Sequence, residues 1–344
     1  MTHSAKNLLT NHRVLLIGIG FYDYESAIAD ELIRQGAAVE VYDELPTILR
    51  NGLIASLFRR SKINVQKIID WHQEKILEEV STRLFSHIII IKGENISVRF
   101  INNLKRKNPG VQLIAYHWDS MSRFPHLVKR HSLFDKVFTF DPVDARRYEK
   151  MQFLPLFYRP SLESGSAPEL KSKYDILFVG WLHHERLLQV KTVFREARTQ
   201  GLSMYCYLYT GLFSRILLTL IGRGHFLKSV ALVYPNYLKL IRSSKSILDL
   251  PHPNQVGLSM RAVEAIGACK KLITTSRDIV SYDFYHPNNI MVIDLKGDFD
   301  LSAFLSAPIV SLPQSTIDKY SISFWVTELL GVSTDGNMDR LPAK

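Results

Sequence analysis

The chain has 344 residues, and at roughly 150 residues per domain that length predicts two domains. With 46% hydrophobic and 22% charged residues and only two cysteines, Cys206 and Cys269, it reads as an ordinary reduced globular protein. This composition excludes a disordered chain, a disulfide scaffold and a Cys₄ zinc centre. The net charge of +10 is uneven: residues 1–45 carry 3 basic and 7 acidic side chains, whereas residues 46–155 carry 19 and 10. Such a basic field attracts polyanions, among them anionic lipids and nucleoside diphosphates. No zinc finger, RNP signature or continuous basic arm is present, which argues against nucleic acid.

In chain order, the opening MTHSAKNLLTNH lacks the apolar core of a signal peptide. The run RVLLIGI, 13–19, predicts a buried strand closed by Gly18-Ile19-Gly20. A helix over 23–35 and a strand over 38–42 follow. Pro46 opens a helical stretch to about residue 60, and 64–84 reads as a second long helix. HIIIIK (87–92), VQLIAY (111–116) and KVFTF (136–140) are the next strands. Continuously apolar strands are buried on both faces, which marks a parallel sheet covered by helices. Residues 161–173 have linker composition. Beyond them the alternation resumes with strands DILFV (175–179), 204–208, SILDL (246–250), LITT (272–275) and IMVI (290–293). Helices are expected over 185–199, 236–243 and 258–268, with a final one over 316–330. The best candidate for a membrane span, 216–221, is broken by Gly222, Arg223 and Gly224. The reading is two doubly wound α/β domains facing each other, with ligands expected at the carboxyl ends of their strands.

Four segments fall at such ends. Gly18–Glu25 begins like a dinucleotide fingerprint, but the third glycine position is Asp23, whose charge argues against a nicotinamide cofactor. Asp23 is either an N-cap or, like Glu25, a base. His117-Trp118-Asp119-Ser120 offers a carboxylate, an imidazole and a stacking ring for a hydroxyl-rich ligand; the alternative is that Asp119 caps a helix from Met121. Gly180-Trp181-Leu182-His183-His184-Glu185-Arg186 combines a close backbone turn with a cation at a helix start, an arrangement suited to a diphosphate. Its adjacent histidines lack metal-ligand spacing, so no metal is expected. The most specific segment is Gly257–Ala268. There Gly257 frees the backbone, the amides of Leu258 and Ser259 meet phosphate, and Arg261 and Glu264 share a helix face.

The pattern G-x-x-x-R-x-x-E-A over 257–265, between the strands SILDL and LITT, resembles the donor-binding segment of GT-B glycosyltransferases. The likeness is to the CgeB-type and group 1 branch, which builds envelope polysaccharides. It implies a GT-B fold, with residues 1–160 as the acceptor-side domain, 161–312 as the nucleotide-sugar domain and helix 316–331 crossing back to the first. It further implies that Glu264 holds the donor ribose, while Gly180, Arg186, Gly257, Leu258, Ser259 and Arg261 surround the diphosphate. Asp23 and Asp119 are the candidate catalytic carboxylates. The chain departs from the family pattern at Val256, where retaining members carry a second glutamate, and at Ala268-Cys269-Lys270, where a glycine is usual. Asp298-Phe299-Asp300 has the letters of a DxD motif but falls late in the chain, so metal-independent chemistry without a cofactor is expected.

The activity implied is sugar transfer from a nucleotide-sugar donor to a glycan or lipid-linked acceptor of lipopolysaccharide or capsule, at the cytoplasmic membrane face. A nucleotide-sugar epimerase or a non-catalytic nucleotide-sugar-binding protein is the competing reading. Segment 49–67 places Leu49, Leu53, Ile54, Leu57 and Phe58 beside Arg50, Arg59, Arg60, Lys62 and Lys67. That stripe suits either an anionic membrane surface or ordinary core packing.

Overall fold

The computed structural model describes residues 8–20, 23–50, 64–163, 172–183, 185–220, 224–252 and 255–332. Most of the 49–67 stripe lies outside these residues, as does His184. The chain divides into two compact units: the first runs to Pro155 and regains the chain at Ser323, and the second spans Leu156–Ile322.

The first unit holds β1 (Arg13–Gly18), β2 (Ala38–Asp43), β3 (His87–Ile91), β4 (Gln112–His117), β5 (Lys136–Thr139) and β6 (Met151–Phe153). They form one sheet in the order β2-β1-β3-β4-β5-β6, with every pairing parallel. All five residues of β3, HIIII, are buried, as a strand covered on both faces requires. The covering helices bury stripes at helical spacing: Ile69, Gln73, Ile76 and Leu77 on Val65–Glu79, and Phe100, Ile101 and Leu104 on Val98–Lys107. Asn64 caps the former by accepting from the amides of Gln66 and Lys67, and Ser97 caps the latter through Phe100 N.

The second unit holds β7 (Tyr174–Trp181), β8 (Met204–Tyr209), β9 (Leu227–Lys228), β10 (Ser244–Asp249), β11 (Lys271–Thr274) and β12 (Ile290–Val292). The order is β12-β11-β10-β7-β8-β9, again entirely parallel. Each sheet reverses direction once beside its first strand, between β1 and β3 in the first unit and between β7 and β10 in the second. At such switch points the loops diverge and leave a crevice outside the strand ends.

The terminal helix predicted over 316–330 is two helices, Gln314–Asp318 and Ile322–Leu330. The break is made by Tyr158, whose amide donates to Tyr320 O at 2.8 Å and whose carbonyl accepts from Ile322 N at 3.0 Å. From Ser323 onward the second helix belongs to the first unit, as a helix crossing back should. Gln35 Nε2 donates to Ser323 O at 3.2 Å, and the Trp325 ring meets Tyr116 edge-on at 4.8 Å.

Candidate functional site

The switch point of the second unit gathers the cations singled out by the sequence. Gly180 lies in β7, and a Cβ there would stand 3.0 Å from the Phe178 ring and 3.3 Å from Arg261 Nη1. The missing side chain therefore lets Arg261 reach across β7, where Nη1 donates to Val179 O at 3.1 Å. Its guanidinium carbon sits 5.6 Å from the Phe178 ring centroid. The spacing of Arg261 and Glu264 predicts a shared face, but the structure sends them to different partners. Arg261 Nε pairs with Asp249 Oδ1 at 3.1 Å, and Glu264 accepts from Tyr237 Oη at 2.6 Å.

Asp249 is the residue that sequence reasoning missed. Buried at the carboxyl end of β10, it accepts from Ser259 Oγ at 2.7 Å, Arg261 Nε at 3.1 Å and Thr274 Oγ1 at 3.2 Å. It thereby ties β11 and the helix Met260–Gly267 to β10. The signal was present as the one acidic letter inside the apolar run SILDL. Ser259 is the N-cap of that helix and accepts from Ala262 N at 3.3 Å. The amides of Leu258 and Ser259 donate to no backbone carbonyl among the described residues. Gly257 is buried, but it is not one of the glycines with left-handed backbone.

Arg186 opens the helix Arg186–Thr199 and is buried. Nη1 donates to Trp181 O at 3.1 Å and Nη2 to Leu250 O at 2.6 Å, while Nε has no partner. It forms no ion pair among the described residues. Burial, followed by the nearby charge of Arg261, pushes its guanidinium down to about 9, against the opposing pull of Asp249. Two guanidinium groups share one carboxylate here, so this cluster of Arg186, Arg261 and Asp249 carries a net positive charge.

No group of three or more metal-ligating side chains occurs among the described residues. The His183 and His252 rings lie 5.9 Å apart. Asp300 is an N-cap, accepting from Ala303 N at 2.8 Å, and Asp298 is exposed.

In the first unit the glycine turn is already occupied by the chain itself. Glu25 Oε1 accepts from Ile19 N at 2.9 Å and Gly20 N at 3.1 Å, and a Cβ on Gly18 would stand 2.3 Å from Glu25 Cγ. A carboxylate thus fills the amide nest that takes a phosphate in dinucleotide-binding folds. This fits the sequence-based argument against a nicotinamide cofactor, but on Glu25 rather than Asp23. Asp23 stands at the N-cap position in left-handed backbone, φ 59°, yet its exposed side chain makes no capping bond.

No helix starts at Met121, so Asp119 caps none. Ser120 is tied to Asp141, and Met121 N donates to Asp144 Oδ2 at 2.6 Å; these bonds fold the segment into a turn before the 3₁₀ helix Pro125–Leu133. Asp119 instead pairs with Arg123 and, at 3.4 Å, with Lys92 Nζ. Lys92 follows β3 in left-handed backbone, φ 64°, and also reaches Glu94 at 3.1 Å. The sequence reading passed over Glu44, just beyond β2. It is buried, accepts from Asn95 Nδ2 at 2.7 Å, and is raised by burial to about 7. His117 is buried against His131, with ring centroids 5.2 Å apart, and desolvation lowers it to about 3.

Two parallel six-stranded doubly wound units, with the terminal helix returned to the first, define the GT-B fold of glycosyltransferases. The chain is similar over 93% of its length to the lipopolysaccharide outer core galactosyltransferase WaaB, of which 99% is covered (TM-score 0.52, 12% identity). AviGT4, a glycosyltransferase involved in avilamycin A biosynthesis, matches 93% of the chain over 96% of its own (TM-score 0.59, 12% identity). OtsA matches 92% over 99% of its own (TM-score 0.54, 11% identity). No family model matches the chain, and no curated protein does.

Proposed function

We propose that this protein is a metal-independent glycosyltransferase that takes its sugar from a nucleotide-sugar donor held in the second unit. The single observation that carries this reading is Arg186, a buried guanidinium without a carboxylate of its own, at the switch point of a GT-B fold. A cation in that setting is matched by a diphosphate. Arg186, Arg261 and the amides of Leu258 and Ser259 neutralise the leaving nucleoside diphosphate as its charge grows, in the role that a metal plays elsewhere. Glu264, on the same helix, receives the donor ribose. The acceptor hydroxyl belongs to a cell-envelope glycan or glycolipid and gives up its proton to a carboxylate of the first unit, Asp119 or Asp23. The fold shared with WaaB supports an envelope acceptor.

A thermal-shift series with UDP-, GDP-, CMP- and dTDP-sugars tests this reading, because a ligand bound to the native state raises its melting temperature. One nucleotide family is expected to raise Tm, with its free diphosphate retaining most of the effect. No response to any of them overturns the assignment.

A further inference from the structure

The helix Leu212–Leu220 (LFSRILLTL) is turned with its apolar side outward. Phe213 and Leu220 are 78% and 79% exposed, Leu212, Ile216 and Leu217 are more than half exposed, and no residue of the helix is buried. At 3.6 residues per turn these five side chains fall within an arc of about 140°. Leu218, the residue that packs on the core of the second unit, lies opposite that arc. An ordinary surface helix does the reverse and buries its apolar stripe. Val230 and Val233 are also exposed, and Arg215 Nη1 donates to Ser229 Oγ at 2.9 Å, which holds their segment against the helix.

The charge around this face selects its occupant. Residues 197–248 contain no aspartate or glutamate; of their cations, Arg215 lies on the helix itself and the exposed Lys228 adjoins Ser229, to which Arg215 donates, whereas Lys245 is paired with Asp175. A protein partner of mixed charge would not call for fifty residues without an acid, whereas an anionic bilayer repels every acid and attracts every cation. We infer that the helix Leu212–Leu220 is a membrane-docking element of the second unit. Its outward apolar face inserts at the headgroup boundary of an anionic lipid surface, and Arg215 and Lys228 hold it there. The inference is independent of the donor site, since none of these residues belongs to it.

Flotation of the full chain with vesicles tests it. Binding is expected to phosphatidylcholine vesicles containing phosphatidylglycerol and not to phosphatidylcholine alone, and to weaken steeply between about 0.1 M and about 0.5 M salt. The double variant Phe213→Gln, Leu217→Gln is expected to lose vesicle binding at least about tenfold, because two of the five inserted side chains are gone. Its Tm and its Tm response to nucleotide stay unchanged, since both side chains are exposed in the free protein. Lys228→Gln is expected to weaken binding at low salt and to have little effect at high salt. Vesicle binding that persists in the double variant, or its absence in the wild type, overturns the inference. So does a wild-type dimer in sedimentation velocity that the double variant converts to monomer, because the face is then an interface between copies of the chain.

Discussion

At Arg186 and Asp249 the same pocket sets two opposite electrostatic problems. Asp249 has three donors, and replacing it by Asn leaves Arg261 partly buried without its counter-charge. Asp249→Asn is expected to lower stability by about 3 kcal/mol, measured by urea unfolding. Arg186 already lacks a counter-charge, so Arg186→Met is expected to change Tm far less than Asp249→Asn does. It is nonetheless expected to abolish the nucleotide-induced rise in Tm. An undiminished nucleotide response in Arg186→Met removes that residue from the site.

Glu44 gives a pH signature. Its carboxyl is raised from 4.5 to about 7, so the folded state holds a proton that the unfolded state has released. The penalty is absent below pH 4.5 and complete above pH 7, where it amounts to about 3 kcal/mol. Glu44→Gln is therefore expected to match the wild type at pH 4 and to exceed it at pH 8, in thermal melts at the two values. His117 acts in the other direction: lowered to about 3, it costs stability as pH falls below its ordinary range and has no such effect above it. None of this was legible from the sequence, where Glu44 is one more acid after a strand. Its hydrogen-bond partner, Asn95, is fifty-one residues away.

Among the elements, the helix Met260–Gly267 is fixed at both ends by small residues. Ser259 Oγ both caps it and bonds Asp249, so Ser259→Ala is expected to cost about 1–2 kcal/mol of unfolding free energy. At the other end a Cβ on Gly267 would stand 2.3 Å from Tyr158 Cγ, and Gly267→Ala is expected to destabilise by about 1–3 kcal/mol. The helix was predicted over 258–268, two residues too early, because Ser259 reads as part of it until its partner on β10 is known. Strands such as β1 and β3 were legible because burial on both faces leaves an unbroken apolar run after their first residue. The three-residue β6 and two-residue β9 were not, since so short a run has no pattern of its own. The sequence shows only the apolar run 216–221, broken by Gly222, Arg223 and Gly224; the outward orientation of the helix Leu212–Leu220 is set by where Leu218 meets the core.

For the molecule as a whole, the proposed metal-independent transfer predicts that activity with the matching donor survives EDTA and gains nothing from added Mn²⁺. Activity lost to EDTA and restored by Mn²⁺ would show that the arginines and helix amides do not suffice. No helix among the described residues is long and apolar enough to cross a membrane. The sequence by itself determined the class of fold, because apolar runs of strand length alternating with helical stripes permit only parallel sheets with helices over both faces. It also marked the strand ends where polar residues collect. Only the tertiary structure decided which of those residues meet. Arg186 reaches Leu250 across sixty-four residues, and Arg261 turns from Glu264 to Asp249. Hydrogen bonds and ion pairs act over a few ångströms in space, and neighbours across a parallel sheet are separated in sequence by a whole crossover, so no local pattern records them.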